Sequence, residues 1–248
     1  VAPKELLQQL WWQQSRRTGA TFDNWLETCV AARRTHETFG WKWCDEHEIP
    51  ANQSIACVPH ATSPTMGSVE NTHWVLPQRV ICGHSAGLMS DEELRTLVEE
   101  MGVNVFVCLQ TSYEEYGVRD YRKALRAMYP EGTLTGISIR FLHCPIGDFS
   151  VLSDTSLVSI IAEFQRLLTD EPLRKCYVHC MGGHGRTGTV MISLIAAVEG
   201  KSPRSARESF CRRHANRRGC HGCCQHKLPE DESQRAQINN TEAVMSRQ

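Results

Sequence analysis

At 248 residues, with 41% apolar and 22% charged side chains, the chain has the balance of a soluble globular protein that can bury a core without disulfide or metal staples. A formal net charge of -1 excludes the large basic excess of a general nucleic-acid binder, so any basic site must be local. No apolar run reaches the roughly 18 residues needed to cross a bilayer. Val1 in place of an initiator Met reads as a trimmed start, and the first residues lack the basic-then-apolar layout of a secretory signal. Twelve cysteines are spread along the chain, five of them in or beside predicted strands. They read as reduced thiols of a cytoplasmic protein, not as a disulfide framework.

Residues 4–17 and 22–38 are each compatible with a helix, Leu6, Leu7, Leu10 and Trp11 forming one apolar stripe. Residues 40–72 are rich in Pro, Ser, Thr and His without a period, and read as a linker wrapped on the surface by Trp41 and Trp43. This sets a boundary between an extension, 1–72, and a domain, 73–248. From Trp74 onward strands and helices alternate. Residues 79–82 form a strand; Ser90 and Glu93 then make a capping box for a helix carrying Leu94, Leu97, Val98 and Met101, and Gly102 stops it. The apolar run 103–109 fits a strand covered on both faces, and 137–142 supplies another. Ser153 caps an amphipathic helix with Leu157, Ile160, Ile161, Phe164, Leu167 and Leu168 on one face, ended by Pro172. Residues 175–179 are a strand, and 187–198 a helix apolar enough to be central. The alternation predicts an α/β domain with a mostly parallel central sheet flanked by helices, behind a mainly helical N-terminal extension.

Residues 178–188 read Val-His-Cys-Met-Gly-Gly-His-Gly-Arg-Thr-Gly and join a buried strand to a buried helix. Gly182, Gly183 and Gly185 permit a tight curl whose backbone N–H groups point inward, beside Met181 and His184. Such a nest at the positive end of a helix binds a dianion. Cys180 opens the loop and Arg186 closes it, with a fork able to grip two phosphate oxygens. The same field favours a thiolate at Cys180, which makes it a nucleophile toward a bound phosphorus. The neighbouring Thr187 hydroxyl is placed to hydrogen-bond the sulfur, and His179 to orient the loop.

These residues resemble the signature of the protein tyrosine phosphatase superfamily, in which Cys, five residues and Arg precede Ser or Thr. The resemblance covers about residues 74–240 and is nearest to the small, atypical dual-specificity branch; the Gly-Gly pair and later Gly-Thr-Val resemble a group of such phosphatases found in bacteria and protists. It implies a dual-specificity phosphatase-like fold, a cysteinyl-phosphate intermediate and a general acid on a loop upstream. Pro-Ile-Gly-Asp ends the strand before the long helix, so Asp148 takes that role. Asp154 competes, but a place just inside a helix N-terminus explains it. In some members a Gln near the last helix positions the hydrolytic water; for Gln234 an exposed helix-capping segment is the preferred reading.

Three other signals carry less. Gly-His-Ser-Ala-Gly at 83–87 matches a hydrolase elbow, yet the helix cap follows only at Ser90. Cys211, His214, Cys220, His221, Cys223, Cys224 and His226 allow a zinc site, but Arg212, Arg213, Arg217 and Arg218 oppose a cation, so a basic substrate-facing loop is preferred and no metal is expected. Cys82 or Cys108 is the candidate redox partner of Cys180; Cys176, on the same strand, is out of reach. The sequence thus predicts a phosphomonoesterase of protein-tyrosine or dual-specificity type, with no cofactor. Its partner is a phosphorylated protein or small phosphomonoester; no nucleic acid or membrane span is expected, and the oligomeric state stays open. The alternatives are a phosphoinositide or inositol phosphate phosphatase, and a phosphate-binding pseudophosphatase serving as an interaction module.

Overall fold

A computed structural model describes residues 40–44, 69–130, 138–217, 229 and 232–245. The two predicted helices before residue 39 lie outside them. Six strands form one mixed sheet: β1 (Lys42–Trp43), β2 (Thr72–Leu76), β3 (Val80–Gly83), β4 (Val105–Cys108), β5 (Arg140–His143) and β6 (Cys176–His179), in the order β1-β5-β4-β6-β3-β2. The four central strands are parallel, and β1 and β2 close the edges antiparallel. The six α-helices described are α1 (Asp91–Arg95, continued by a π turn through Glu100), α2 (Tyr121–Met128), α3 (Asp154–Asp170), α4 (Gly185–Glu199), α5 (Pro203–His214) and α6 (Glu232–Met245).

Strand alternation sorts side chains by size between the two faces. Val80, Cys82, Val105, Val107, Cys176 and Val178 face the core shared with α3, α4 and α5. Ile81, Phe106, Phe141 and Tyr177 face the core under α1 and α2. Small β-branched residues let the long helices pack close, whereas the short helices leave a gap that aromatic rings fill. Both faces are covered, which is why residues 103–109 read as an apolar run broken only by Asn104.

Ser90 and Glu93 form the expected capping box, and Ser153 caps α3 by accepting from the Ser156 N–H. The helix from Asp91 ends in a π turn, with the Val103 N–H closing back on the Leu97 carbonyl past Gly102. The linker reading needs correction at its first residues. Lys42 and Trp43 pair with His143 and Leu142 as an edge strand of the sheet, and Trp41 is buried. Its indole N–H donates to Ser159 Oγ (3.1 Å) and that of Trp43 to Glu163 Oε1 (3.2 Å), so both rings tie the strand to α3. None of the described cysteines is bridged, and no helix among the described residues is long and apolar enough to cross a membrane.

Candidate active site

The site lies where the central parallel strands end and α4 begins. Cys180 follows β6 directly and is buried, and Met181 to His184 form the turn into α4. Three consecutive carbonyls of this turn are tied on its outer side. The Ser85 N–H donates to Met181 O (2.8 Å), and Arg217 donates through Nη1 to Gly182 O (3.1 Å) and through Nη2 to Gly183 O (3.3 Å). In a planar trans peptide the following N–H points opposite its carbonyl. The amides of Gly182, Gly183 and His184 therefore face the inside of the curl, the arrangement that binds an anion.

Gly183 is required by space and backbone conformation, whereas a side chain at Gly185 would have to displace the end of Gln234. Gly183 has φ +72°, and a Cβ there would lie 2.2 Å from the Gly83 carbonyl oxygen. A Cβ on Gly185 would meet Gln234 Oε1 at 2.6 Å. The elbow-like Gly83–Gly87 stretch thus has a structural task. Ser85 is buried, its side chain caps a single 3-10 turn by accepting from the Gly87 N–H, and its amide braces the Met181–His184 turn.

Arg186 is almost wholly enclosed and spends Nη1 on Glu115 Oε2 (2.8 Å), Oε1 (3.2 Å) and the Ile146 carbonyl (3.0 Å). Its Nη2 lies 3.2 Å from Asp148 Oδ1. Burial works against its charge, but Cys180, Glu115 and Asp148 outweigh that and raise it above the ordinary guanidinium value. Glu115 is held below the usual carboxylate range: burial opposes this, and hydrogen bonds from Thr111 and Arg186 prevail. Asp148 also accepts from the Tyr116 hydroxyl (Oδ2, 2.5 Å) and the Phe149 N–H (Oδ1, 3.2 Å). Cys180, Arg186 and Asp148 are thereby brought to one place, whereas Asp154 opens α3 as a first-turn acidic residue.

His179 is fully buried, and burial pushes its pKa down to about 3, so the ring is neutral. Its Nδ1 is 3.3 Å from the Cys180 carbonyl, which can only accept; Nε2, 2.8 Å from Tyr121 Oη, therefore accepts from the phenol. His184 falls to about 4, through burial first and then Arg217, so it adds no charge to the loop near neutrality. Thr187 departs from the sequence expectation. It is buried, but among the described residues its hydroxyl has no hydrogen-bond partner, so the bond to the Cys180 sulfur is not made here.

Gln234 also needs correction. It is buried in α6, packs on Gly185 and donates to the Ser150 carbonyl (3.2 Å), because α6 folds back against α4 instead of standing free. Of the basic run, Arg212 is exposed and donates to Ser209 Oγ (3.2 Å), Arg213 and Arg217 are turned away from a substrate-facing position, and Arg218 lies outside the described residues. Arg213 pairs with Glu199 (2.7 Å) and the Val75 carbonyl, and Arg217 turns its fork to the back of the loop. Cys211 and His214 are both buried on α5, His214 against His73, His184 and Phe210. The rest of that Cys/His cluster lies outside the described residues, among which no group of three metal-ligating side chains occurs. A cavity of about 900 Å³ lies between α5 and α6 among Pro203, Arg207, Cys211, Arg235 and Ile238, and none of the loop residues line it. An anion cradle is a set of converging amides, not a void.

Sequence reasoning missed Glu115 and read Arg217 only as part of a basic substrate-facing loop; both sit on irregular backbone where no periodicity marks them. Ser85 carried a signal, its place in the Gly83–Gly87 motif, but was weighed for the wrong chemistry.

The sequence profile of a family described as "Swiss Army Knife protein, DSP-PTPase phosphatase domain" matches residues 69–238. The chain belongs to that family. It is a phosphatase of the dual-specificity and protein tyrosine phosphatase superfamily. No curated protein sequence matches it. Among solved structures, a mutant form of Tk-PTP is similar at 22% identity and a TM-score of 0.50, over 68% of this chain and 93% of that one. PTPMT1 in complex with PI(5)P gives 17% identity and 0.49, over 72% and 99%. P. aeruginosa TpbA gives 14% and 0.48, over 75% and 98%. At these identities the likeness concerns the fold alone.

Proposed function

We propose that this phosphatase hydrolyses phosphomonoesters in two steps through a phosphocysteine at Cys180, acting on phosphotyrosine and phosphoserine or phosphothreonine in proteins. A bound phosphate dianion sits in the amides of Gly182, Gly183, His184 and Gly185, with Met181 at the rim, and Arg186 grips two of its oxygens. The Cys180 thiolate forms the S–P bond as the P–O ester bond breaks, and Asp148 delivers a proton to the departing oxygen. Water then attacks phosphorus, with Asp148 taking its proton and Gln234 holding it. The S–P bond breaks and the electron pair returns to sulfur, where the unpartnered Thr187 hydroxyl stabilises the leaving thiolate. His179, neutral and anchored on Tyr121, supports the loop. No metal is needed in this scheme, because Arg186 and the amides meet the developing charge.

The observation that carries this reading is the placing of Arg186. One guanidinium at the loop's end reaches Glu115 and Asp148 together, so the anion grip and the acid converge on the position faced by Cys180. A protein substrate is favoured over a polyphosphorylated inositol because the loop has no lysine, His184 is neutral, and of Arg212, Arg213 and Arg217 the last two are engaged elsewhere, leaving Arg212 alone exposed.

The test is hydrolysis of phenyl phosphate with chelator present. Cys180→Ser should abolish turnover, and Asp148→Asn should lower it by about 10²-fold or more. Matched phosphopeptides should then be turned over, while turnover of phosphoinositide vesicles alone would reject the protein-substrate assignment. Phosphate binding without any turnover by the native chain would replace the enzyme reading with a pseudophosphatase.

A further inference from the structure

The turn after β4 holds Asp148 as well as Arg186. Tyr116 has φ +60°, a left-handed conformation unfavourable for a residue with a Cβ and suited to glycine. Its ring is 63% exposed, so burial does not hold it there. Its hydroxyl donates to Asp148 Oδ2 at 2.5 Å. The adjacent Glu115, fixed by the Thr111 hydroxyl (2.7 Å), takes Arg186 from the same turn. The far side of the carboxyl is held in a second strained turn. Phe149, at φ +55°, donates its N–H to Asp148 Oδ1, and the Ser150 N–H closes on the Gly147 carbonyl (3.0 Å). Two aromatic residues thus occupy left-handed positions on either side of one carboxyl, the kind of local strain that persists where geometry is used.

We infer that Tyr116 is a positioning residue that fixes the carboxyl plane of Asp148 for proton delivery to the leaving-group oxygen. This rests on the reading of Asp148 as the general acid. With Oδ2 held by the phenol and Oδ1 by Arg186 and the Phe149 amide, the carboxyl cannot swing about its last torsion. Proton transfer is sensitive to small misplacements of this kind. The bond to Asp148 also raises the Tyr116 pKa, keeping the phenol a donor throughout the working pH range.

An acid matters most when the leaving oxygen is strongly basic. The test is therefore kcat/KM, which reports the phosphorylation step, for phenyl phosphate against 4-nitrophenyl phosphate. Tyr116→Phe should lower the first ~10-fold or more and the second by less than ~3-fold. Tyr116→Gly relieves the backbone and removes the hydroxyl, and should show the same selective loss. Equal losses on both substrates, or no loss on phenyl phosphate, would overturn the inference. Asp148→Asn, run alongside, separates the two claims. If it sharply lowers phenyl phosphate turnover and Tyr116→Phe does not, only the role of Tyr116 fails. If Asp148→Asn leaves that turnover intact, the acid assignment falls and the inference with it.

Discussion

Arg186 and Asp148 work through what holds them. A guanidinium that retains 2% of its side-chain exposure cannot reorient, so its plane is fixed by Glu115 and the Ile146 carbonyl, ready for the anion proposed above. Preorganisation of this kind is where much of an electrostatic catalyst's advantage lies. Gly183 is the residue with the least freedom to change. Left-handed backbone alone costs an alanine about 1–2 kcal/mol, and the Gly83 carbonyl at 2.2 Å from the new Cβ forces the loop open besides. Gly183→Ala should therefore abolish turnover and lower the melting temperature, as read by an activity assay and a thermal scan. A variant with native activity would show that the curl is not the phosphate cradle.

Among the elements, the helix after the Gly-rich loop was easy to read and its support was not. Cys180, Arg186, the Gly-rich loop, Ser90 with Glu93, and Ser153 all act within a few residues along the chain, so spacing exposes them. Glu115 meets Arg186 across 71 residues and Gln234 meets Ser150 across 84, through turns whose side chains carry no period. Helix α2 was also missed, although Asp120 is an ordinary start signal. The two-residue strand β1 is too short for any pattern to show. Arg217, just beyond α5, was read only as part of a basic substrate-facing loop. It is buried, and its hydrogen bonds within the described residues run to Gly182, Gly183 and His184, none of them anionic, so its charge stands behind the cradle. Arg217→Met should weaken phosphate or vanadate inhibition by about 10-fold, in keeping with the loss of a buried charge-assisted bond of ~1.5–3 kcal/mol. Far-UV circular dichroism should stay native. Unchanged inhibition would mean the loop is held without it.

For the whole molecule, the buried histidines set the response to acid. Burial holds His179 and His214 near 3, His184 near 4, and His73 well below its usual value. Each binds a proton in the unfolded chain near pH 6.5 but not in the folded one, so the unfolded state takes up more protons between about 3 and 6.5. Their contribution is complete above pH 6.5 and is lost as pH falls through that window. Glu115, Glu171 and Glu199, held low by hydrogen bonds and nearby arginines against the effect of burial, extend the loss below the usual carboxylate range. Urea unfolding at pH 7.5 and 5.5 should show a fall of roughly 2–4 kcal/mol, about 1.4 kcal/mol at most for each buried ring; a flat profile would mean that the rings are not buried as described. The central claim is the covalent one, and it is tested most directly by acid-quenching the enzyme during turnover and mapping the phosphoryl group by mass spectrometry. The account predicts a single phosphorylated peptide, carrying the group on Cys180 and absent from Cys180→Ser. Turnover by Cys180→Ser, or a phosphoryl group found on another residue, would contradict it.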